Sequence, residues 1–205
     1  MGMAGKDAAV ELRTRLREAS AALAPVSQLL DGISHAERVA AIRGLGRREQ
    51  RALYAAAASA PPLRLSDLVP PGVPAMTQVR HHGRNTLPAF TWFEKRFCRP
   101  PGSDPERPGA LFGFNFQRLA PLTGPGYFIA RDDPAGREVR IDYRELPAEH
   151  PPGWPAIRSN ERGLARLVYG FMVDRLRRVS QHVSIGSATR HGRELGSWFV
   201  LAREV

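Results

Sequence analysis

A glycine-centred segment at residues 81–86 has residue types that could bind an anion. Gly83 allows a ligand to approach the backbone closely, and Arg84 supplies a guanidinium just before a predicted helix start. The N-terminus of a helix favours a carboxylate or a phosphate, so Arg84 is a candidate ligand contact. The alternative is an ordinary glycine turn in which Asn85 or Thr86 caps the helix.

The histidines and the cysteine do not predict a metal site. His81 and His82 are adjacent, so on a strand they point to opposite faces and only one can face a given ion. The other histidines are scattered, and no H-E-x-x-H pattern occurs. Cys98 is the only cysteine, which excludes a cysteine-rich zinc site. We therefore predict no metal and no cofactor.

Residues 111–119 are the clearest strand, and they carry a second candidate site. Aromatic residues alternate with small or amide residues, Phe112, Phe114 and Phe116 against Gly113, Asn115 and Gln117. In one interpretation the two amides line a cavity and orient the polar group of a ligand, because buried amides need partners. In the other, simpler for a sheet packed on one face, the amides face solvent and the phenylalanines form the core.

The remaining polar candidates lie toward the C-terminus: Asp142, Tyr143, Tyr169, Asp174 and Arg177. If residues 172–179 are helical, Asp174 and Arg177 form an ordinary surface or cap pair. No G-x-S-x-G, Walker, dinucleotide-binding or C-x-x-C pattern is present, so the sequence names no reaction. An enzymatic function would require His82, Asp142 and Tyr169 to converge within hydrogen-bonding distance.

Short helices are predicted for the first part of the chain. Apolar residues at helical spacing indicate a helix over residues 10–23, which Pro25 ends. Ser34 and Glu37 have the S-x-x-E pattern of a capping box and open a second helix. A third helix is predicted over residues 47–58. Helices of this length are rarely stable alone, so they must pack on each other or on the rest of the chain.

A proline-rich segment, residues 61–75, follows these helices. Because it contains several large aliphatic residues, we predict an ordered strap packed on the following domain rather than a free linker. These anchors are Leu63, Leu65, Leu68 and Val69.

Beyond residue 75 the pattern indicates six or seven strands, mostly joined by short turns. Leu87–Arg99 is instead predicted to be an amphipathic helix with an aromatic face, because Phe90, Phe93 and Phe97 have helical spacing. Residues 164–169 are strand-like. The final strand, residues 197–203, is apolar on both faces, which indicates that it lies inside the assembly or closes a barrel.

These elements define an α+β fold, an antiparallel curved sheet or a lipocalin-like β-barrel preceded by short N-terminal helices. We divide the chain into an N-terminal helical region (1–60), the proline-rich strap (61–75) and a barrel-like domain with one aromatic-faced helix (76–205).

The composition is that of a folded protein with an excess of positive charge. The chain has 205 residues, of which 42% are hydrophobic and 24% charged, and its formal net charge is +10. Lys6 and Lys95 are the only lysines among 30 basic residues. The positive field favours an alternative in which arginines of the N-terminal helices bind nucleic acid. No apolar signal region or bilayer-length apolar run occurs, which predicts a cytoplasmic protein with no membrane span.

The C-terminal segment, residues 164–204, resembles the end of a bacterial family of small lipocalin-like domains named for a G-x-W-x-G motif. The matching residues are Tyr169, Asp174, Arg177, Arg178, Val179, Ile185, Gly186, Gly192, Trp198 and Phe199. The G-x-W-x-G motif itself is absent, since the tryptophans lie in TWF, GWP and SWF. The resemblance implies a small antiparallel barrel with a cavity, and it implies no reaction.

We therefore predict non-enzymatic binding of a small apolar or anionic ligand in a β-barrel cavity. Aromatic residues would line the cavity, and polar residues would contact the polar part of the ligand. The candidate ligand-binding residues are Arg84, Phe112, Phe114, Asn115, Phe116, Gln117, Tyr127, Tyr143, Tyr169, Arg177 and Trp198. The alternatives are nucleic-acid binding through the helical arginines and a small-molecule enzyme with a cavity His, Asp or Tyr.

Overall fold

The computed structural model describes residues 3–17, 22–87, 91–117 and 123–204. Within these ranges eight antiparallel strands form a closed barrel, in which each strand pairs with the next and β1 also pairs with β8. The strands are β1 (Val79–Asn85), β2 (Trp92–Cys98), β3 (Leu111–Phe116), β4 (Tyr127–Asp132), β5 (Val139–Asp142), β6 (Met172–Arg178), β7 (Val183–Arg190) and β8 (Arg193–Arg203). The predicted α+β class, with helices before an antiparallel barrel, is confirmed.

Most of the described helices precede the barrel. They are α1 (Met3–Arg17), α2 (Leu23–Gly32), α3 (His35–Arg43), α4 (Arg47–Ala56), a short 3-10 helix (Ala57–Ser59), α5 (Leu65–Leu68) and, between β5 and β6, α6 (Gly163–Val168). The predicted capping box opens α3, since the Glu37 N–H donates to Ser34 Oγ at 3.3 Å and the Ser34 N–H donates to Glu37 Oε2 at 2.9 Å. Pro25 does not end a helix as predicted. It lies in the first turn of α2, where a missing N–H costs nothing.

The N-terminal helices pack on the outer face of β7 and β8. Leu12, Ile42 and Leu53 of these helices are fully buried and join one apolar core with Ile185 and Val200 of the barrel. Each fully buried leucine or isoleucine contributes about 2 kcal/mol of transfer free energy. This packing explains why such short helices are stable here.

The two apolar faces of β8 serve two different cores, as the final strand's pattern predicted. Val200 and Ala202 lie against the helices, whereas Phe199 and Leu201 face the barrel interior. A strand that is apolar on both faces is therefore explained by a barrel covered on its outside.

One end of the barrel is closed by the strap. Leu65 and Leu68 are buried in the interior core together with Phe97 and Leu176. The Nε2 atom of His81 lies 3.0 Å from the Leu68 carbonyl oxygen, which fixes α5 against β1. The strap and the large side chains above it fill this end of the barrel.

The predicted helix over Leu87–Arg99 is wrong, because this segment contains strand β2. Phe93 and Phe97 are four residues apart, a spacing that fits one face of a helix and also alternate positions on a strand. In the strand both rings face the barrel interior with Lys95 between them. Phe90, the first residue of the predicted aromatic face, lies outside the described residues. Pairing with β1 and β3 decided between the two periods.

Two predictions for the C-terminal part of the chain differ from the structure. Residues 164–169 were predicted as a strand but belong largely to α6, because a short apolar run fits either element. Residues 172–179 form β6, so Asp174 and Arg177 point to opposite faces and make no helical pair. Asp174 is buried in the barrel, and Arg177 lies on its outer surface.

The amides of the β3 segment face the barrel interior, and its phenylalanines face outward. Asn115 and Gln117 are buried, whereas Phe116 is 46% exposed. Phe114 is nevertheless buried, because the Trp154 ring covers it from outside with ring centroids 4.7 Å apart. Of the two interpretations of this strand, the structure therefore bears out the one in which the amides face a cavity.

Candidate functional site

A cavity of about 510 Å³ occupies the end of the barrel opposite the strap. Strand β1 starts beside the strap at Val79 and ends at the cavity with Asn85. The cavity is lined by Asn85, Leu87, Phe93, Lys95, Asn115, Gln117, Tyr143, Leu167, Val168, Tyr169, Met172, Asp174, Ala188, Arg190, Leu195, Ser197, Trp198 and Phe199. Its lining is mainly apolar with a few polar groups, the usual composition of a small-molecule site.

The mouth of the cavity is apolar and exposed. Leu87 is 45% exposed, Leu195 is 45% exposed, and Leu167 of α6 is 71% exposed. Arg190 at the end of β7 donates through Nη2 to the Leu167 carbonyl at 2.9 Å, which ties α6 to the barrel rim. Exposed leucines around an opening are a suitable entrance for an apolar ligand.

Four polar residues meet at the inner end of the cavity, and we call them the Lys95 cluster: Lys95, Asn115, Tyr143 and Asp174. The Lys95 ammonium donates to Asn115 Oδ1 at 3.0 Å, to Asp174 Oδ2 at 3.0 Å and to the Tyr143 hydroxyl. The Tyr143 hydroxyl also donates to Asp174 Oδ2 at 3.0 Å. Side-chain exposure of Lys95 and Asp174 is 2% each, so water does not screen this ion pair.

Aromatic rings surround the Lys95 ammonium on its other sides. The Nζ atom lies 4.8 Å from the Phe199 ring centroid, 5.0 Å from that of Tyr143 and 5.1 Å from that of Phe128. The negative faces of such rings attract a cation. The rings therefore favour a positive charge at this almost fully buried position.

Burial sets the ionisation of the Lys95 cluster. It lowers the pKa of Lys95, and the attraction of Asp174 restores that pKa only in part. Burial likewise raises the pKa of Asp174, against the opposing effect of Lys95. The pKa of the Tyr143 hydroxyl is raised by burial and then by the neighbouring carboxylate, so this hydroxyl stays protonated. Both shifts of the ion pair favour passing the proton from Lys95 to Asp174.

One carboxylate oxygen in the cluster is unused. Within the described ranges of the chain, Asp174 Oδ1 is buried and has no hydrogen-bond partner. A buried acceptor left unpaired costs about 1–3 kcal/mol. A ligand that donates a hydrogen bond to this oxygen would recover that cost.

A second polar group lies higher in the cavity. Gln117 Nε2 donates to the Tyr169 hydroxyl at 2.7 Å and to Thr123 Oγ1 at 3.0 Å. The Tyr169 ring stacks on Tyr143 with centroids 5.5 Å apart, which connects this group to the Lys95 cluster. Burial raises the pKa of Tyr169, so its hydroxyl remains neutral.

The Gly-Pro-Gly turn before β4 gives Tyr169 its place. Gly126 has a φ of +59°, and a Cβ built there would lie 2.5 Å from the ring carbon Cζ of Tyr169. No other residue fits this position without moving the ring. The turn thus shapes the cavity wall.

The structure brings five of the predicted ligand-binding residues to the cavity: Asn115, Gln117, Tyr143, Tyr169 and Trp198. Trp198 belongs to the mouth, and the Arg47 guanidinium lies over its ring at 5.3 Å from the centroid. The other four lie deeper and carry the hydrogen bonds described above.

The remaining aromatic candidates were misplaced by the prediction, because they lie outside the barrel. Phe114 and Tyr127 pack with Trp154 under the loop after β5, and Phe112 packs against that outer cluster. The Tyr127 hydroxyl donates to the Pro155 carbonyl at 2.5 Å. Phe116 is exposed, with the Arg96 guanidinium over its ring. The loop after β5 buries Phe114 and Tyr127 from outside the barrel. The sequence alone does not distinguish this burial from burial inside the barrel.

The two arginine candidates also face away from the cavity. Arg84 donates to the Arg43 carbonyl at the end of α3, so it fastens a helix rather than an anion. Arg177 lies 3.9 Å from the Tyr54 ring centroid and donates to Glu138 Oε1 at 2.7 Å. Arg84 and Arg177 thus attach the N-terminal helices to the barrel, and Arg177 also pairs with Glu138 just before β5.

The set proposed for an enzyme, His82, Asp142 and Tyr169, does not converge. His82 lies on the outer surface, with its ring centroid 5.5 Å from that of His35. Asp142 is also on an outer face, where it accepts from Arg144 Nη2 at 2.5 Å. Only Tyr169 reaches the cavity, so these three residues do not form a common site.

Sequence reasoning missed Lys95 altogether and misjudged Asp174. The available signal for Lys95 was its rarity, since the chain has only one other lysine among 30 basic residues. On a strand, Lys95 lies on the same face as Phe93 and Phe97. Predicting a strand for this segment would therefore have placed the lysine with these two rings. For Asp174 the available signal was that residues 172–179 fit a strand as well as a helix. On a strand, Asp174 and Arg177 point to opposite faces.

Comparison with protein-family models, with curated proteins and with solved structures gave no match. The resemblance of residues 164–204 to the G-x-W-x-G family stays a prediction. None of the helices in the described part of the chain has the length and apolarity that crossing a bilayer requires. The nucleic-acid alternative also stays a prediction. Arg38, one of its arginines, is buried and donates to the Leu30 carbonyl at 2.7 Å.

Proposed function

We propose that the protein binds a small, mainly apolar molecule in the cavity of its barrel. The polar group of the ligand lies against the Lys95 cluster, and its apolar part extends toward the mouth. One observation carries this proposal: a mainly apolar cavity of about 510 Å³ ends on a buried ion pair with an unpartnered carboxylate oxygen. Small-molecule sites commonly have volumes of roughly 300–1,000 Å³.

The chemistry of the inner end favours a ligand with one hydrogen-bonding polar group. Asp174 Oδ1 accepts a hydrogen bond from a ligand hydroxyl, and Lys95 attracts an oxygen of either a neutral or an anionic group. The walls contributed by Phe93, Phe199 and Met172 offer only apolar contact. A linear or cyclic hydrocarbon with a terminal hydroxyl or carboxyl group meets both requirements.

The proposal is tested by filling the cavity. Ala188 on β7 lines the cavity and lies directly opposite Asp174 in the β6–β7 pairing. We expect wild type to bind decan-1-ol, measured by calorimetry and by a rise in melting temperature. The variant Ala188→Phe should bind it at least about tenfold more weakly, a loss of about 1.4 kcal/mol, because the added ring occupies the ligand's place.

The control places the same ring outside the barrel. Ala55 is exposed on α4, so Ala55→Phe should bind decan-1-ol as wild type does. Folding of each variant is checked by circular dichroism. The proposal is overturned if wild type binds neither decan-1-ol nor decanoic acid, or if Ala188→Phe folds and binds with unchanged affinity.

A further inference from the structure

We propose that Lys95 forms a reversible Schiff base with an aldehyde bound in this cavity. The inference rests on the proposed binding function, and it names the substrate class as apolar aldehydes. It starts from three features that coincide at one place: a primary amine lines a cavity, a carboxyl and a phenol contact that amine, and the cavity walls are apolar.

Lys95 is placed to react with a ligand in the cavity. Its Nζ atom contacts Asp174 and the Tyr143 hydroxyl, and it lies within 6 Å of several aromatic rings, the nearest centroid at 4.8 Å. An amine reacts with a carbonyl only as the neutral base, and burial lowers the pKa of Lys95 in that direction. The carboxyl of Asp174, whose pKa burial raises, is the nearest acceptor for the ammonium proton.

The reaction balances without an oxidant or a second substrate. The ammonium proton of Lys95 passes to Asp174, and the nitrogen lone pair forms a C–N bond to the aldehyde carbon. The carbonyl π electrons move to oxygen, which becomes a hydroxyl by taking the proton released from nitrogen. The C–O bond then breaks, and the oxygen leaves as water with the proton from Asp174. Protonated Lys95 and an aldehyde thus give a protonated imine and one water molecule.

The product keeps the charges of the site unchanged. A protonated imine carries the same single positive charge as the original ammonium, and it remains beside Asp174 and the rings of Phe128 and Phe199. The unpartnered Asp174 Oδ1 is positioned to accept from the hydroxyl of the addition intermediate. The cluster therefore suits both the ammonium before the reaction and the protonated imine after it.

The choice of lysine over arginine also supports a covalent role. An arginine side chain pairs with a carboxylate through two parallel hydrogen bonds and cannot condense with a carbonyl. Nearly all basic positions of this chain are arginine, and the buried pair is an exception. An ion pair needed only for packing does not require an amine.

The experiment traps the imine by reduction. The full-length protein is incubated with decanal and cyanoborohydride, and the modified residues are mapped by peptide mass spectrometry. We expect one adduct whose mass is that of the aldehyde less one oxygen atom, located on Lys95. Lys6, the only other lysine, and the N-terminal amine are the internal references. Labelling of Lys95 should be at least about tenfold faster than that of Lys6, because the cavity holds the bound aldehyde beside Lys95 and burial lowers the pKa of this amine.

Two variants with single lysines give the matched control. Lys6→Arg should keep the adduct, and Lys95→Arg, whose folding is checked by circular dichroism, should lose it. If Lys95→Arg does not fold, Lys95→Met replaces it. If the folded cavity causes the preference for Lys95, labelling in urea should modify Lys95 and Lys6 at similar rates.

The outcomes separate this inference from the binding proposal. If decan-1-ol and decanal both bind but Lys95 is labelled no faster than Lys6, the Schiff base is overturned and the binding function stands. If neither compound binds and no Lys95 adduct forms, both fail. A Lys95 adduct that decan-1-ol blocks supports both.

Discussion

Lys95 is stable inside the barrel because each proton of its ammonium has a partner. The three acceptors are the side-chain oxygens of Asn115, Tyr143 and Asp174, which come from three different strands or their ends. The Asn115 amide also donates to the Tyr143 hydroxyl at 3.0 Å, which fixes the orientation of both groups. The geometry of the cluster is thus determined by mutual hydrogen bonds, and the loss of one member affects the others.

At this scale we predict a non-additive effect on stability. Lys95→Met leaves the Asp174 carboxylate buried without its cation, so unfolding in urea should show a loss of about 3 kcal/mol. Lys95→Met combined with Asp174→Asn removes both charges and should recover a large part of that loss. If the single change costs less than about 1 kcal/mol, the pair is not the desolvated ion pair described here.

Parts of the cavity wall depend on glycines over which an aromatic ring of the neighbouring strand packs. Gly186 on β7 lies opposite Phe199 on β8, and a Cβ built on Gly186 would be 2.2 Å from the ring carbon Cζ of Phe199. The far end of the Phe199 ring thus occupies the space that a side chain at position 186 would need. The same strands are covered on their outer face by the N-terminal helices.

The strap acts as a plug because α5 turns its leucines into the barrel. His81 of β1 meets the Leu68 carbonyl at 3.0 Å and packs edge-on against Phe97, with ring centroids 4.9 Å apart. Burial lowers the pKa of His81 to about 3, so the imidazole is neutral in the folded protein at neutral pH. The contact between strap and barrel is therefore sensitive to acid.

The burial of His81 predicts that the stability of the fold depends on pH. Below the ordinary His pKa of 6.5 the unfolded chain takes up a proton that folded His81 refuses, so stability falls as pH drops from 6.5 toward 3. Between about pH 8 and pH 5 wild type should lose about 2 kcal/mol more in urea unfolding than His81→Gln. Equal losses in wild type and His81→Gln would contradict the burial of His81.

Among the described residues, the two larger apolar cores share the wall formed by β7 and β8, and a smaller apolar cluster around Trp154 lies outside the barrel. One core lies between this wall and the helices, and the other fills the plugged end of the barrel. Ile185 and Val200 belong to the first core, whereas Leu201 belongs to the second. Because the wall is common, loss of either core destabilises the other, and we expect one cooperative unfolding transition.

A substitution in the helices tests this coupling with reporters in the barrel. Trp92, Trp154 and Trp198 all lie beyond residue 75. Leu12→Ala, at a fully buried position of α1, should cost about 2–5 kcal/mol and lower the unfolding midpoint seen by tryptophan fluorescence. Val10→Ala, on the exposed side of the same helix, should change little. A shift in the helical circular dichroism with unchanged fluorescence would show that helices and barrel unfold separately.

The parts of the structure that could be predicted are those that local patterns determine. The capping box at Ser34 and the apolar faces of β8 depend on neighbouring residues only, and both are confirmed. Segment 87–99 failed because its aromatic spacing fits two periods, and strand pairing chose between them. Phe114 and Tyr127 failed as site residues because a distant loop buries them from outside.

By itself the sequence determined an α+β fold in which helices precede an antiparallel curved sheet or barrel, because alternation, capping and turn residues act over a few positions. It also supplied the amides and tyrosines of the cavity. Only the tertiary structure decided that Lys95 and Asp174 meet, since they are 79 residues apart and come together through closure of the barrel. Burial, ionisation and the reactivity proposed for Lys95 all follow from that closure, because a charge leaves water only when the chain folds around it.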